Sequence, residues 1–316
     1  MTRRWRERLT TGAMLAPALL LMALLFGASA VYGIAQSLGY LPVIGQERLS
    51  LDAYAALLGG QGPAGREFWP ALGFSLWVSG ASTLLSAVGA LLLTLPAAQR
   101  SAADEASGAA LNLSLAFPHL VWAVGLLLLL GQSGLLARGA AALGLIERPA
   151  EFPVLVRDRF GIGIILNYVT KEIPFLALIV LAILRAQPAG YDLVAENLGA
   201  TRLQRLRYVT LPLVLPGLAA GSLLVFAFVL GAYEAPALLG VRYPRMLSVL
   251  ALEFFTNPDL RSRAEGMAIS LVIAALVVVI ALAGRAAGSR AENQEPTHRR
   301  GAEGAEIPET IHEGHE

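Results

Sequence analysis

Lys171 and Glu172 stand side by side within a long apolar run, which makes them the residues best placed to do chemistry. An ammonium and a carboxylate in low-polarity surroundings are costly, so such groups by default face a bundle interior or a watery path. Neighbours on a helix point about 100° apart, so the two are poorly placed to pair with each other, and at least one calls for a partner on another helix. An interhelical ion pair of purely structural value meets that need, and so does a place on a path for solutes. Pro174 follows shortly after. It frees a carbonyl one turn earlier, near Thr170 and Lys171, and predicts a kink there.

A second group is Tyr233 and Glu234 beside Pro236, with Glu253 a little further on. Carboxylates and aromatic faces suit a cationic solute through ion pairing and cation–π attraction. Arg242, Arg245, Arg261 and Arg263 share that region and suit an acidic protein surface instead. His119, after Pro118, reads as a packing residue.

Other chemistries are excluded. The chain has no cysteine, so it offers no disulfide framework, thiolate cluster or thiol nucleophile. His119 is the only histidine before the C-terminal stretch, which removes most Ser–His and H-E-x-x-H schemes. Lys171 is the only lysine and lies outside any Gly-rich loop, so no P-loop is present.

The elements that hold these residues follow from composition. Hydrophobic residues make up 56% of the chain and charged ones 15%, with mean hydropathy +0.61. That is too little polar material to cover a soluble globule, so the solvent is lipid. A bilayer core about 30 Å thick needs roughly 20 apolar residues per helix. Six runs qualify, near Thr11 to Leu38, Pro70 to Gln99, Gly108 to Gly131, Phe160 to Arg185, Leu213 to Leu239 and Gly266 to Ala287. Continuous apolar runs favour helices over a barrel, which would show short alternating segments. The expected fold is an all-α membrane protein of about six transmembrane helices.

Arg3, Arg4, Arg6 and Arg8 precede the first run and keep the N-terminus cytoplasmic. Six spans then return the C-terminus to the cytoplasm. The expected organisation is a basic flank over 1–10, a membrane domain over 11–287 and a disordered cytoplasmic tail over 288–316, poor in large apolar residues. Ala28-Ser29-Ala30 also admits a signal-cleavage reading, which leaves the other five helices oriented the same way. His298, His312 and His315 in the tail offer at most an adventitious metal site.

Between the fourth and fifth runs lies a segment from Tyr191 to Gly217 that begins too charged to cross a membrane. Leu198, Leu203, Leu206 and Val209 fall at helical intervals, with Arg202, Arg205 and Arg207 on the other side. Two short helices are expected, with Gly199 between them either left-handed or closely approached. Pro212 and Pro216 end the loop and open the fifth span.

Those residues resemble the cytoplasmic signature of the integral membrane permeases of binding-protein-dependent ABC importers: Glu-Ala-Ala, three residues, Gly, nine residues, then Ile-x-Leu-Pro. Gly199 is followed after nine residues by Val209, Thr210, Leu211 and Pro212. The first half departs, since Leu193, Val194 and Ala195 stand where the family has Glu-Ala-Ala, and the nearest acids are Asp192 and Glu196. LAFPHLV (Leu115 to Val121), YVTKEIPFLAL (Tyr168 to Leu178), FAFVLGAYEAPALLG (Phe226 to Gly240) and LEFFTNPD (Leu252 to Asp259) look like permease segments in the same order. These are most similar to permeases of the spermidine and putrescine type, although thiamine, ferric iron and phosphonate systems share much of the pattern.

The resemblance implies a coupling helix that docks on a separate ATPase, with Ala195, Glu196, Asn197, Gly199, Ala200, Leu211 and Pro212 at the contact. It also implies two copies of that ABC ATPase carrying ATP and Mg, a second permease subunit and an extracytoplasmic solute-binding protein. No cofactor is expected on this chain, no catalysis by it and no nucleic acid as partner. A polyamine-like solute passing Lys171, Glu172, Tyr233 and Glu234 is the substrate expectation. An ion-gradient-driven secondary transporter is the alternative, and it would show inverted repeats and paired broken helices.

Overall fold

The computed structural model describes residues 3–97, 115–186 and 191–293. The first residues of the third apolar run, the end of the second and residues 294–316, with the three tail histidines, lie outside the described residues. Twelve α-helices are present among those described. They are α1 (Arg3–Ser37), α2 (Asp52–Leu58), α3 (Gly62–Ala97), α4 (His119–Leu130), α5 (Leu135–Ala142), α6 (Ile162–Arg185), α7 (Tyr191–Asn197), α8 (Arg202–Arg205), α9 (Leu211–Gly231), α10 (Glu234–Leu239), α11 (Leu247–Phe255) and α12 (Arg263–Asn293). No β-strand is found among the described residues.

Six stretches are long and apolar enough to cross a membrane: Thr10–Ser37, Gly62–Leu95, His119–Ala142, Ile162–Arg185, Arg202–Gly231 and Leu260–Arg285. The expected count of six holds, but several positions move. The second span starts at Gly62, ahead of Pro70: Pro63 falls in the first turn of α3, where its missing N–H would be unpaired anyway, and the helix runs on through Pro70. Helix α12 continues to Asn293, into the stretch read as tail, because Ala286 to Asn293 contains no proline and only one glycine, Gly288.

α6 is the central helix, packed on α3 over the broadest interface and also on α9 and α4. Small residues let these backbones approach: a Cβ at Gly89 of α3 would stand 2.5 Å from Ile173 Cδ1, and one at Gly221 of α9 would stand 2.7 Å from Ile179 Cδ1. Close packing of this kind holds helices together in lipid, where the hydrophobic effect between them is absent. Tyr168, Leu176, Val180, Val225 and Val229 form the heart of this core. A second cluster joins α2, α3, α11 and α12 around Phe68, Leu247, Leu250 and Ile269. α1 packs on α12 and otherwise presents leucines outward, as a helix bathed in lipid would.

Candidate functional site

Two regions hold the residues singled out by sequence. The first is the hairpin over 191–212. α7 ends in a left-handed Gly199 with φ 78°, and no atom lies within 4 Å of where its Cβ would stand. Gly199 N–H donates to Glu196 O at 2.9 Å and Ala200 N–H to Ala195 O at 3.0 Å, a pair of bonds that satisfies the last carbonyls of the helix. Of the two roles open to Gly199, the structure selects backbone conformation over close approach.

Thr201 then starts the next helix with a capping box. Its hydroxyl accepts from Gln204 N–H, while Gln204 Oε1 accepts from Thr201 N–H at 2.8 Å. Glu196 and Arg205 pair across the turn. The turn is therefore over-determined by backbone and side chains alike.

The apolar residues of the hairpin fall differently from the expected single face. Leu198 is 82% exposed and Leu203 72%, with Val194 and Tyr208 also exposed, whereas Leu206 and Val209 are partly covered and Arg205 turns inward. A five-residue π-helical turn, Leu206–Thr210, joins α8 to α9 without a gap, so the helical backbone runs from Arg202 to Gly231. Pro212 explains the turn: it lacks the N–H that Tyr208 O would accept, and the chain re-registers with Leu211 N–H on Leu206 O, five residues back. Leu211 and Pro212 thus lie inside a continuous rod.

The second region lies around α6. Phe117 and Pro118 are not helical although Leu115, Ala116 and His119 are, so the helical backbone of the third apolar run is interrupted just before the span that starts at His119. Lys171 Nζ donates to Phe117 O at 2.6 Å. His119 Nε2 and Glu172 Oε1 lie 3.1 Å apart, within hydrogen-bonding distance, and Trp122 Nε1 donates to Thr170 Oγ1 at 2.8 Å. The expected interhelical partner exists, and His119, read from sequence as a packing residue, supplies it. α6 stays helical past Pro174, with Thr170 Oγ1 bonded back to Leu166 O.

The rings of Tyr168, His119 and Phe228 form a triangle, with centroids 6.5 Å apart for Tyr168 and His119, 6.2 Å for Tyr168 and Phe228 and 5.0 Å for His119 and Phe228. Glu172 and Glu234 both lie within electrostatic reach of the Tyr168 hydroxyl. Asn167 and the Tyr168 hydroxyl are buried with no hydrogen-bond partner among the described residues. Sequence reasoning missed Asn167, Tyr168, Thr170 and Trp122; for the first three, polar or hydroxylated residues within five positions of Lys171 and Glu172, that proximity was the available signal.

Tyr233 and Glu234 are placed apart. The fifth span ends at Gly231 rather than Leu239, because Ala232 is extended with ψ 138°. Ser248 Oγ donates to the Ala232 carbonyl freed there, at 2.6 Å. Tyr233 lines a cavity of about 430 Å³ with Ser248, Phe255 and Ser270, while Glu234 begins α10, which packs on α4. Glu253 sits on helix α11 and pairs with Arg245. Arg245 Nε also lies 2.9 Å from Glu67 Oε2, which tethers this end of α11 to α3. No group of residues suited to a metal ion is present among the described residues.

Residues 88–287 match the family described as binding-protein-dependent transport system inner membrane component. The chain belongs to that family. With six apolar helices, it is a multi-pass inner-membrane protein. Among its curated relatives in the family is the inner membrane ABC transporter permease protein YnjC of Escherichia coli K12, 32% identical over 225 residues, which are 67% of this chain and 40% of YnjC. The molybdenum transport system permease protein ModB of Mycobacterium tuberculosis is 30% identical over 177 residues, 55% of this chain and 62% of ModB. The alignments thus span less than two thirds of either relative. In fold, the chain matches one from the crystal structure of a bacterial ABC transporter involved in the import of the acidic polysaccharide alginate, with TM-score 0.75, 19% identity and coverage of 92% of this chain and 99% of that one.

Proposed function

We propose that the chain is the membrane-spanning permease subunit of an ATP-driven importer that takes a small solute from an extracytoplasmic binding protein. It pairs with a second permease to form the path and performs no catalysis. Two copies of a separate ABC ATPase hold ATP and Mg and supply the energy. In this reading both termini and the hairpin over 191–212 face the cytoplasm, in line with the basic flank at Arg3 to Arg8.

The observation that carries the reading is the exposure of Leu198 and Leu203 on a doubly capped hairpin that runs unbroken into a membrane span. Burying each leucine in a partner's groove is worth about 2 kcal/mol. A groove that closes on them would pull directly on α9 through the helix from Arg202. Ala195, Glu196, Asn197, Gly199 and Ala200 shape that contact, and Leu211 and Pro212 transmit it.

The solute path is assigned to the face carrying His119, Phe228 and Glu234, which is open in the single subunit. An ionisable side chain turned to hydrocarbon costs about 3 kcal/mol, so this face belongs against a second permease or water. Lys171 and Tyr233 stand back from it, one bonded to Phe117 and the other on a separate cavity.

A polyamine-like cation is the solute that Glu172, Glu234, Tyr168 and Phe228 favour, by charge and by aromatic faces. The names of the relatives, molybdenum among them, lend that choice no support.

Uptake by right-side-out vesicles loaded with ATP, with putrescine and molybdate among the solutes, tests the reading. Accumulation should require the ATPase and survive collapse of the proton gradient. Accumulation that persists without the ATPase and stops with the gradient would contradict it.

A further inference from the structure

Two backbone defects face each other where the start of α4 meets α6. On one side the helix breaks at Phe117 and Pro118. On the other, Pro174 removes the N–H that Thr170 O would accept in α6. Three side-chain bonds bridge the defects: Lys171 to the Phe117 carbonyl just before the break, His119 just after it to Glu172, and Trp122, a turn further, to Thr170.

A static break in hydrocarbon needs only its carbonyls covered, and apolar packing around a single hydroxyl would do it at lower cost than an ammonium that is 1% exposed. What adjacent ionic groups add is a second arrangement of similar energy. If α4 tilts away from α6, the Phe117 carbonyl and His119 leave together, and although the two side chains start about 100° apart, the long Lys171 stem lets its ammonium swing toward the Glu172 carboxylate. Each ionic group then keeps a polar partner in both states. Asn167 and the Tyr168 hydroxyl, one turn along α6, are buried and without partners among the described residues in this arrangement. They offer bonds to α4 in the other.

We propose that Phe117 and Pro118 form a pivot on which α4 moves against α6 during transport, and that Lys171 is the positioning residue that sets the pivot. The inference rests on the permease reading. α10, packed on α4, would move with it and carry Glu234 relative to Glu172.

The chain has no cysteine, so a Trp122→Cys, Thr170→Cys double variant presents two thiols only. The full transporter bearing it is joined by a short, reductant-cleavable bis-methanethiosulfonate linker, and uptake is measured before linking, after linking and after reduction. Uptake should fall at least tenfold on linking and return on reduction. Unchanged uptake in fully linked protein would overturn the pivot. If the unlinked double variant is inactive, Lys171 decides: Lys171→Met should lower maximal uptake at least tenfold with little change in KM, and Lys171→Arg should restore most of it. Wild-type uptake by Lys171→Met would overturn the proposal. Failure of the parent transporter to take up any solute with ATP would count against the permease reading instead, separately from the pivot.

Discussion

Glu196 Oε2 and Arg205 Nη1 meet at 2.8 Å across the left-handed turn at Gly199. The pair is half in solvent, with Glu196 60% exposed and Arg205 14%, so it contributes only about 0.5 kcal/mol. The capping box at Thr201 contributes more, about 1 kcal/mol. Thr201→Ala should therefore speed amide hydrogen exchange over 202–205 by about fivefold, and Glu196→Ala by about twofold. Exchange followed by mass spectrometry in nanodiscs checks the order of the two.

Gly199 has open space around it but a φ of 78°. Its substitution is then limited by backbone strain rather than by a clash. Gly199→Val should cost about 2 kcal/mol in the hairpin and weaken recovery of the ATPase with the permease, while Gly199→Asn should retain most of it. Equal recovery with both would show that the left-handed turn is dispensable.

His119→Ala leaves the Glu172 carboxylate buried without its donor and should lower stability by about 2 kcal/mol. His119→Gln, which keeps an N–H donor, should recover about half. Thermal unfolding of the reconstituted protein reads the difference.

Ser248 covers the carbonyl that the end of α9 leaves open at Ala232. Ser248→Ala should cost about 1.5 kcal/mol and Ser248→Thr far less, read by the same unfolding measurement.

The six spans were legible because apolar length alone decides them, and the hairpin because Gly199 and two prolines punctuate a segment whose apolar residues fall at helical intervals. The breaks were not. A run such as Gly108 to Gly131 stays apolar through Phe117 and Pro118, and hydropathy counts side chains, not backbone bonds. Pro118 was the visible sign. The end of the fifth span at Gly231 was hidden the same way, since Ala232 to Leu239 continues the apolar composition after the helix has stopped. His119 was misread because its partner, Glu172, lies 53 residues away, beyond any local pattern. The exposure of Leu198 and Leu203 escaped notice because periodicity gives a helix an apolar face but not the side of the protein it turns to.

That exposed pair is the centre of the account. The direct measurement is recovery of the ATPase with the tagged permease from membranes, comparing wild type with a Leu198→Asp, Leu203→Asp double variant. Neither side chain is packed within this chain, so the variant should insert and unfold as wild type does. ATPase recovery should fall at least tenfold and ATP-driven uptake with it. Wild-type recovery and uptake by the double variant would contradict the assignment of this hairpin as the point where the ATPase takes hold.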